Sequence, residues 1–126
     1  MLSDQEIEAA KARIKYSLPD GGHHEHNDCI RIAYEWLDAQ KKIKNPTKKT
    51  YAIKHLIEKW AGRYVSRSDV EVAALLHREI HGTYPHFNIS TRLTEPSIER
   101  LKNISEAFNH NDYRDQHDPT LYKNQE

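Results

Sequence analysis

The chain has 126 residues, enough for one domain with a modest core, and its 37% hydrophobic and 30% charged side chains are typical of a polar-surfaced globular protein. No apolar run approaches the ~18 residues that a membrane span requires, and the acidic, polar N-terminus does not resemble a signal peptide. Cys29 is the only cysteine, which excludes an intramolecular disulfide and suits a reducing compartment. We therefore expect a cytoplasmic protein without a membrane partner.

The basic side chains are concentrated in the middle of a chain whose formal net charge is zero. Residues 41–67 contain nine Lys or Arg and one acid, whereas residues 1–40 and 68–126 each carry a net charge of −4. The nine are Lys41, Lys42, Lys44, Lys48, Lys49, Lys54, Lys59, Arg63 and Arg67. A cationic cluster of this kind is the electrostatic signature of a polyanionic partner.

Helical periodicity dominates the N-terminal part of the chain. Ser3 and Glu6 form an S-x-x-E capping box, and the apolar stripe behind them predicts a first helix that ends near Leu18. A turn rich in Pro and Gly follows. Asn27 is the expected cap of a second helix, whose apolar stripe covers residues 29–37.

Two further helices are predicted in the middle of the chain. A third helix would begin at Pro46, which suits the first helical position, and would end at Gly62. Ser68 and Glu71 form a second S-x-x-E box, which predicts a fourth helix running to about His81. Because this helix is apolar over most of its circumference, we expect it to be central and buried.

The remaining pattern changes from helix to strand and back. Residues 86–93 alternate between apolar and polar, which indicates one short strand, paired either with residues 63–65 or with its own copy in a homodimer. A last helix would start at residues 94–96. We thus predict a mainly α fold: a compact bundle of about five helices in a single domain spanning 1–108, with one short β-ribbon or lone strand. Residues 109–126 would form a polar, flexible C-terminal tail.

The third predicted helix separates its apolar stripe from a cationic ridge. On a helical wheel Lys48, Tyr51, His55 and Lys59 lie along one face, and the third and fourth helices would form a helix-turn-helix-like succession with an exposed start of helix four. We therefore predict a small non-enzymatic nucleic-acid-binding regulatory or accessory protein that uses the basic segment 41–67 on DNA or RNA. The predicted contacts are Lys48, Lys49, Lys59, Arg63 and Arg67, assisted by Tyr51 and His55.

Two other interpretations of the basic segment remain open. The lysines could form only a solvated face. The chain could also be a protein-interaction module, an inhibitor or adaptor, that docks its basic face on an acidic partner protein. Salt dependence distinguishes phosphate contacts from a packed protein interface, because the logarithm of the affinity for phosphates falls linearly with the logarithm of the salt concentration.

The extended segment also carries groups that could contact a ligand. Tyr84 and Phe87 stand close to Arg92 in sequence, and aromatic rings beside an arginine can stack on unpaired bases. The favoured interpretation is that the apolar side chains face the core. Arg92 and Asn88 would then point to solvent.

Histidines offer a weaker, enzymatic alternative. His23–His26 could bind a metal, but adjacent side chains diverge, so a polar loop ending in a helix cap is favoured. The segment 73–77 resembles the helix that carries the metal-binding His-Asp pair of HD-type phosphohydrolases. That resemblance implies a metal site at His77 completed by the upstream His26, although Arg78 stands at the position of the aspartate. His81, four residues after His77 on the predicted helix, offers a further ligand, so the less favoured alternative is a metal-dependent hydrolase built on His26, His77 and His81. A core histidine is the favoured interpretation of His77.

No complete catalytic motif is present in the sequence. Cys29 lies on a buried stripe, the serines lack a G-x-S-x-G context, and there is no phosphate-binding glycine loop. We accordingly predict no catalytic residue, no metal and no cofactor.

Overall fold

The computed structural model describes residues 1–49 and 51–126. The α-helices of this part of the chain are α1 (Asp4–Arg13), α2 (Asn27–Ala39), α3 (Ile53–Ala61), α4 (Arg67–Leu76) and α5 (Asn111–Arg114). Its strands are β1 (Gly82–Thr83), β2 (His86–Phe87), β3 (Thr94–Glu95) and β4 (Asn124–Gln125), and its 3₁₀ helices span Ile98–Leu101 and Pro119–Leu121. The predicted mainly α fold of about five helices with a short β element is confirmed.

The core is built around α2 and α4, which pack against each other more extensively than any other pair of elements. The apolar stripe of α2, including the fully buried Trp36, lies in the core. The prediction that the fourth helix is central is confirmed, since seven residues of α4 are buried. α2, with 13 residues, is the longest helix, and no helix of the described residues combines the length and hydrophobicity that a bilayer span needs.

The first helix is capped as predicted but is shorter than expected. The Ser3 hydroxyl accepts from the amide of Glu6 at 3.1 Å, and the Ser3 amide donates to the Glu6 carboxylate at 3.0 Å. The helix ends at Arg13, not near Leu18, and the chain continues as a loop. That loop crosses to α4, where the Ser17 amide donates to the carboxylate of a buried glutamate.

The boundaries of α3 and α4 also differ from the prediction. α3 begins at Ile53, seven positions after Pro46, and the Thr47 amide donates to the carbonyl oxygen of Phe87 instead of entering a helix. α4 begins one residue after Ser66, whose side chain forms the capping box with Asp69. The predicted Ser68 box is wrong: an acid three residues after Ser66 completes an earlier one.

The predicted strand pairs within the chain. β1 and β2 form an antiparallel ribbon in which Gly82 faces Phe87, and an isolated antiparallel bridge joins Lys42 to Ile89. The predicted strand therefore does not pair with residues 63–65. At these positions it also does not pair with a second copy of the chain. The apolar positions of the alternation face the core as predicted, since Phe87, Ile89 and Leu93 are buried.

The C-terminal residues pack on the helices, which corrects the prediction of a flexible tail over 109–126. β4 runs parallel to β3, and the side chain of Tyr122 is buried. Arg114 donates to the carbonyl oxygen of Trp60 at 2.8 Å. A few aromatic and arginine anchors hold the segment although its composition is polar. The predicted last helix is reduced to a 3₁₀ helix and turns.

Candidate nucleic-acid interface

A rigidly held lysine-rich loop is the main candidate site. We name residues 41–49 the basic loop. It runs beside the extended segment 86–90: the Ser90 amide donates to the carbonyl oxygen of Lys41 at 2.8 Å, and the Thr47 amide donates to that of Phe87 at 3.0 Å. Lys41 and Thr47 are thus tied to the same neighbouring segment.

Asn88 holds the middle of the basic loop. Its amide nitrogen donates to the carbonyl oxygens of Ile43 at 3.1 Å and Glu79 at 2.9 Å, while its side-chain oxygen accepts from the His81 amide at 2.7 Å. Its backbone carbonyl accepts from the Ile43 amide at 2.9 Å. Asn88 is buried, which corrects the prediction that it points to solvent.

Most lysines of the basic loop face solvent. Lys42 is the exception, because its ammonium donates to the carbonyl oxygen of Asp38 at 2.5 Å and its burial lowers its pKa. The exposed ones are Lys41, Lys44, Lys48 and Lys49, and none of these four forms an ion pair with any residue that the structure describes. The basic loop therefore presents four uncompensated positive charges on a backbone fixed by hydrogen bonds.

Tyr51 connects the basic loop to a second cation. The Lys49 ammonium lies 5.1 Å from the centroid of the Tyr51 ring, and the Tyr51 hydroxyl donates to the carbonyl oxygen of Thr91. Arg92, which follows, is exposed. Tyr51 is thus half-buried as a bridge between two cationic segments, rather than standing on a helix ridge.

The predicted ridge on α3 is only partly formed. Lys48 and Tyr51 precede the helix, so the ridge retains His55 and Lys59 alone. The His55 imidazole is 63% exposed, and its Nδ1 lies 2.9 Å from a carboxylate oxygen of the buried Glu58. Lys59 is half-buried.

Arg63 is an internal ion-pair partner, which corrects its prediction as a phosphate contact. Only 7% of Arg63 is exposed. Its Nε and Nη2 donate to one oxygen of Glu106 at 3.2 and 3.1 Å, and its Nη1 donates to the carbonyl oxygen of Tyr64 at 2.7 Å. A guanidinium with these partners is not available to an external phosphate.

The start of α4 is covered, so the predicted exposed helix-turn-helix-like arrangement is wrong. The Ser66 hydroxyl donates to the carbonyl oxygen of His23 at 2.6 Å, and the Gly22 amide donates to the Ser68 hydroxyl at 2.9 Å. Arg67, beside this contact, is half-buried and lies 3.9 Å from the Glu71 carboxylate. The loop before α2 therefore occupies the place that a phosphate would need.

The histidines have separate structural partners. His24 Nδ1 lies 2.8 Å from Asp69, and the His26 imidazole accepts from an amide of α2 as its cap. His77 is buried as predicted, with its Nε2 2.8 Å from a carboxylate oxygen of Asp38. His81 is exposed beyond the end of α4. In the described residues no three or more His, Cys, Asp or Glu side chains are grouped to hold a metal.

The basic loop contains candidates that the residue-level prediction omitted. Lys41 and Lys44 belong to the basic segment in sequence but lie off the predicted helix ridge, so helical spacing could not select them. The signal that could have found them is the Lys-rich stretch around Asn45-Pro46, which is typical of an exposed loop. Comparisons with models of protein families, with curated proteins and with solved structures found no match to this chain.

Proposed function

We propose that this chain is a small, non-enzymatic, cytoplasmic nucleic-acid-binding protein with a regulatory or accessory role, and that the basic loop contacts phosphates. The observation that carries the proposal is a set of four exposed lysines on one loop, none of which forms an ion pair with a described residue. Such charges bind polyanions by displacing condensed counterions, and the gain grows with the number of phosphates neutralised.

The hydrogen bonds of the basic loop favour this role. A mobile lysine-rich loop would lose conformational entropy on binding. Here the backbone at Lys41, Ile43 and Thr47 is already fixed by the segment 86–90, so binding costs less backbone conformational entropy at these residues.

The proposed contact set differs from the one that the sequence predicted. Lys48 and Lys49 stay in it, joined by Lys41, Lys44 and Arg92, all of which are exposed. The flanking groups Tyr51, His55 and Lys59 are secondary. Arg63 and Arg67 leave the set because acidic residues of the same chain compensate their charges.

Fluorescence anisotropy with a labelled duplex and a labelled single strand tests the proposal. With about five phosphate contacts, affinity should fall about 500-fold for the duplex and about 100-fold for the single strand between ~50 and ~200 mM salt. The triple variant Lys44→Gln/Lys48→Gln/Lys49→Gln should reduce the slope of log affinity against log salt by about 3. Sedimentation velocity on the same samples tests the predicted homodimer.

The matched control changes the same number of charges elsewhere. Lys15, Lys102 and Lys123 are exposed and lie outside the basic loop, so the corresponding triple Gln variant should keep the wild-type slope. Equal slopes for the two triple variants would contradict the assignment to the basic loop. No binding at low salt would overturn the proposal, and the basic loop would then be tested as a docking face for an acidic protein.

A further inference from the structure

A second surface feature lies where the end of α3 meets the start of α5. It is an open pocket of about 450 Å³. Its lining is formed by Tyr64, Asn109, His110, Asn111, Asp112 and Tyr113. We call it the aromatic pocket. Three of its six lining residues carry aromatic rings, and the other three carry amide or carboxylate groups.

The backbone beneath the aromatic pocket adopts an uncommon conformation. Phe108 has φ +65°, a left-handed value that bulky residues rarely adopt, and Gly62 opposite it has φ +61°. The Phe108 amide donates to the carbonyl oxygen of Ala61 at 2.8 Å, and the His110 amide donates to that of Gly62 at 2.7 Å. Two short hydrogen bonds thus hold the strained segment against the end of α3 and turn residues 109–113 toward Tyr64.

The hydrogen bonding of His110 fixes its tautomer. The Tyr64 amide donates to His110 Nδ1 at 3.0 Å, so a neutral His110 carries its proton on Nε2. His110 is exposed, and its Nε2 has no hydrogen-bond partner among the described residues. The aromatic pocket therefore offers one oriented donor.

The three rings of the aromatic pocket are tilted against one another, and each is at least partly exposed to solvent. The Tyr64 and Tyr113 centroids are 6.4 Å apart with planes tilted by 40°, and those of His110 and Tyr113 are 6.0 Å apart with planes tilted by 45°. Tilted rings at these distances cannot enclose a flat ligand between them, but a ligand can stack on an outer face. Lys54 lies above the Tyr64 ring, with its ammonium 4.4 Å from the centroid.

We infer that the aromatic pocket binds one unpaired nucleobase of a single-stranded nucleic acid. Stacking on a tyrosine face suits any base. His110 Nε2 donates to a base carbonyl or ring nitrogen, and the exposed Asp112 carboxylate accepts from an exocyclic amino group. The same carboxylate repels phosphate, so the pocket favours the base over the backbone. This inference rests on the proposed function and specifies it: single strands are preferred to duplexes.

A comparison of two single strands tests the inference on the unmodified protein. One labelled strand carries all its bases, and the other has abasic sites at its central positions with the same number of phosphates. Loss of stacking should weaken binding about tenfold at fixed salt. Equal binding of both strands would overturn the inference while leaving the proposed function intact, whereas binding of neither would remove the proposed function itself.

Variants locate the effect in the aromatic pocket. Tyr113→Leu should bring the ratio of the two affinities close to one without changing the salt slope, and Tyr113→Phe should restore the ratio because it keeps the ring. Tyr64→Leu gives a second, independent removal of a ring. The Lys44→Gln/Lys48→Gln/Lys49→Gln variant should do the opposite. It should lower the salt slope of binding and keep the ratio of the affinities for the two strands. A ratio that survives both leucine variants, each verified as folded by circular dichroism, would contradict the inference.

Discussion

The indole nitrogen of Trp36 donates a hydrogen bond to the phenol oxygen of Tyr122 at 3.1 Å, joining α2 to the C-terminal segment across 86 sequence positions. Trp36 is fully buried and Tyr122 is 6% exposed. Burial raises the pKa of Tyr122 to about 12, so the phenol stays protonated at neutral pH. The polar C-terminal segment is therefore anchored in the core by one aromatic side chain.

Removal of this anchor should cost substantial stability. Tyr122→Phe keeps the ring and loses one hydrogen bond, so we expect the free energy of unfolding to fall by about 1 kcal/mol. Tyr122→Ala leaves a cavity and should lower it by about 3–5 kcal/mol. Urea denaturation followed by tryptophan fluorescence measures both. Exposed Leu121→Ala is the control, and an equal effect of the two alanine variants would contradict the anchor.

Asp28 should make the protein sensitive to acid. Burial acts to raise its pKa, but hydrogen bonds from Arg31, Ser105 and the Glu106 amide outweigh it and hold the pKa below the ordinary 3.8. A depressed folded-state pKa stabilises the fold above the unfolded-state pKa, and that stability is lost as pH falls through about 4 and below.

The acid sensitivity can be measured by comparing two variants with the wild type. Asp28→Asn should lower the free energy of unfolding at pH 7 by about 1–3 kcal/mol and flatten its decline at acid pH. The exposed Asp115→Asn should leave the wild-type profile unchanged. An unaltered acid profile in Asp28→Asn would show that other carboxylates control acid unfolding.

Cys29 should be unreactive in the folded protein. Burial raises the pKa of its thiol to about 12, and the sulfur donates to the carbonyl oxygen of Tyr64 at 3.4 Å. Because the thiolate is the nucleophile, a thiol-specific disulfide reagent should react only in step with unfolding. The expected result is a slow rate in buffer that rises steeply across the urea transition. Fast reaction in buffer would place the thiol at the surface.

Substitutions at Arg63 and Lys48 should affect different properties. The first should lower stability, and the second should weaken nucleic-acid binding. Arg63→Gln breaks a buried ion pair and should lower the free energy of unfolding by about 2–3 kcal/mol. Lys48→Gln, on the exposed basic loop, should change it by no more than about 0.5 kcal/mol while reducing the salt slope of binding by about 1. The two are compared by denaturation and anisotropy on the same samples. A strong stability effect of Lys48→Gln would contradict the exposed placement.

The sequence-based prediction was right where an interaction is local in sequence and wrong where it depends on distant residues. The Ser3 capping box is local, and the structure confirms it with both of its hydrogen bonds. The Ser68 box failed because two candidate boxes overlap in sequence. The choice of Ser66 is coupled to a distant loop, since Ser66 also donates to the carbonyl oxygen of His23, and Ser68 accepts from Gly22.

The candidate site was predictable in charge but not in geometry. The excess of lysine in the segment 41–67 located the basic loop, because charge density is a property of composition. Arg63 could not be removed from the set beforehand, since its partner Glu106 is 43 positions away. The pairing of the basic loop with residues 86–90 is likewise long-range. Helical periodicity extended the third helix back to Pro46, whereas the Thr47 amide is bonded to the distant Phe87.

The hydrogen bonds of the Asn88 side chain give the basic loop a chemical weak point. Hydrolysis of that one side-chain amide replaces NH₂ with oxygen and leaves a carboxylate facing the carbonyl oxygens of Ile43 and Glu79, where two donated bonds now lie. Attraction at both positions would turn into repulsion, and a negative charge would arise beneath the lysines. Ageing of a single asparagine would thus loosen the loop at Ile43 and weaken its positive field in one event.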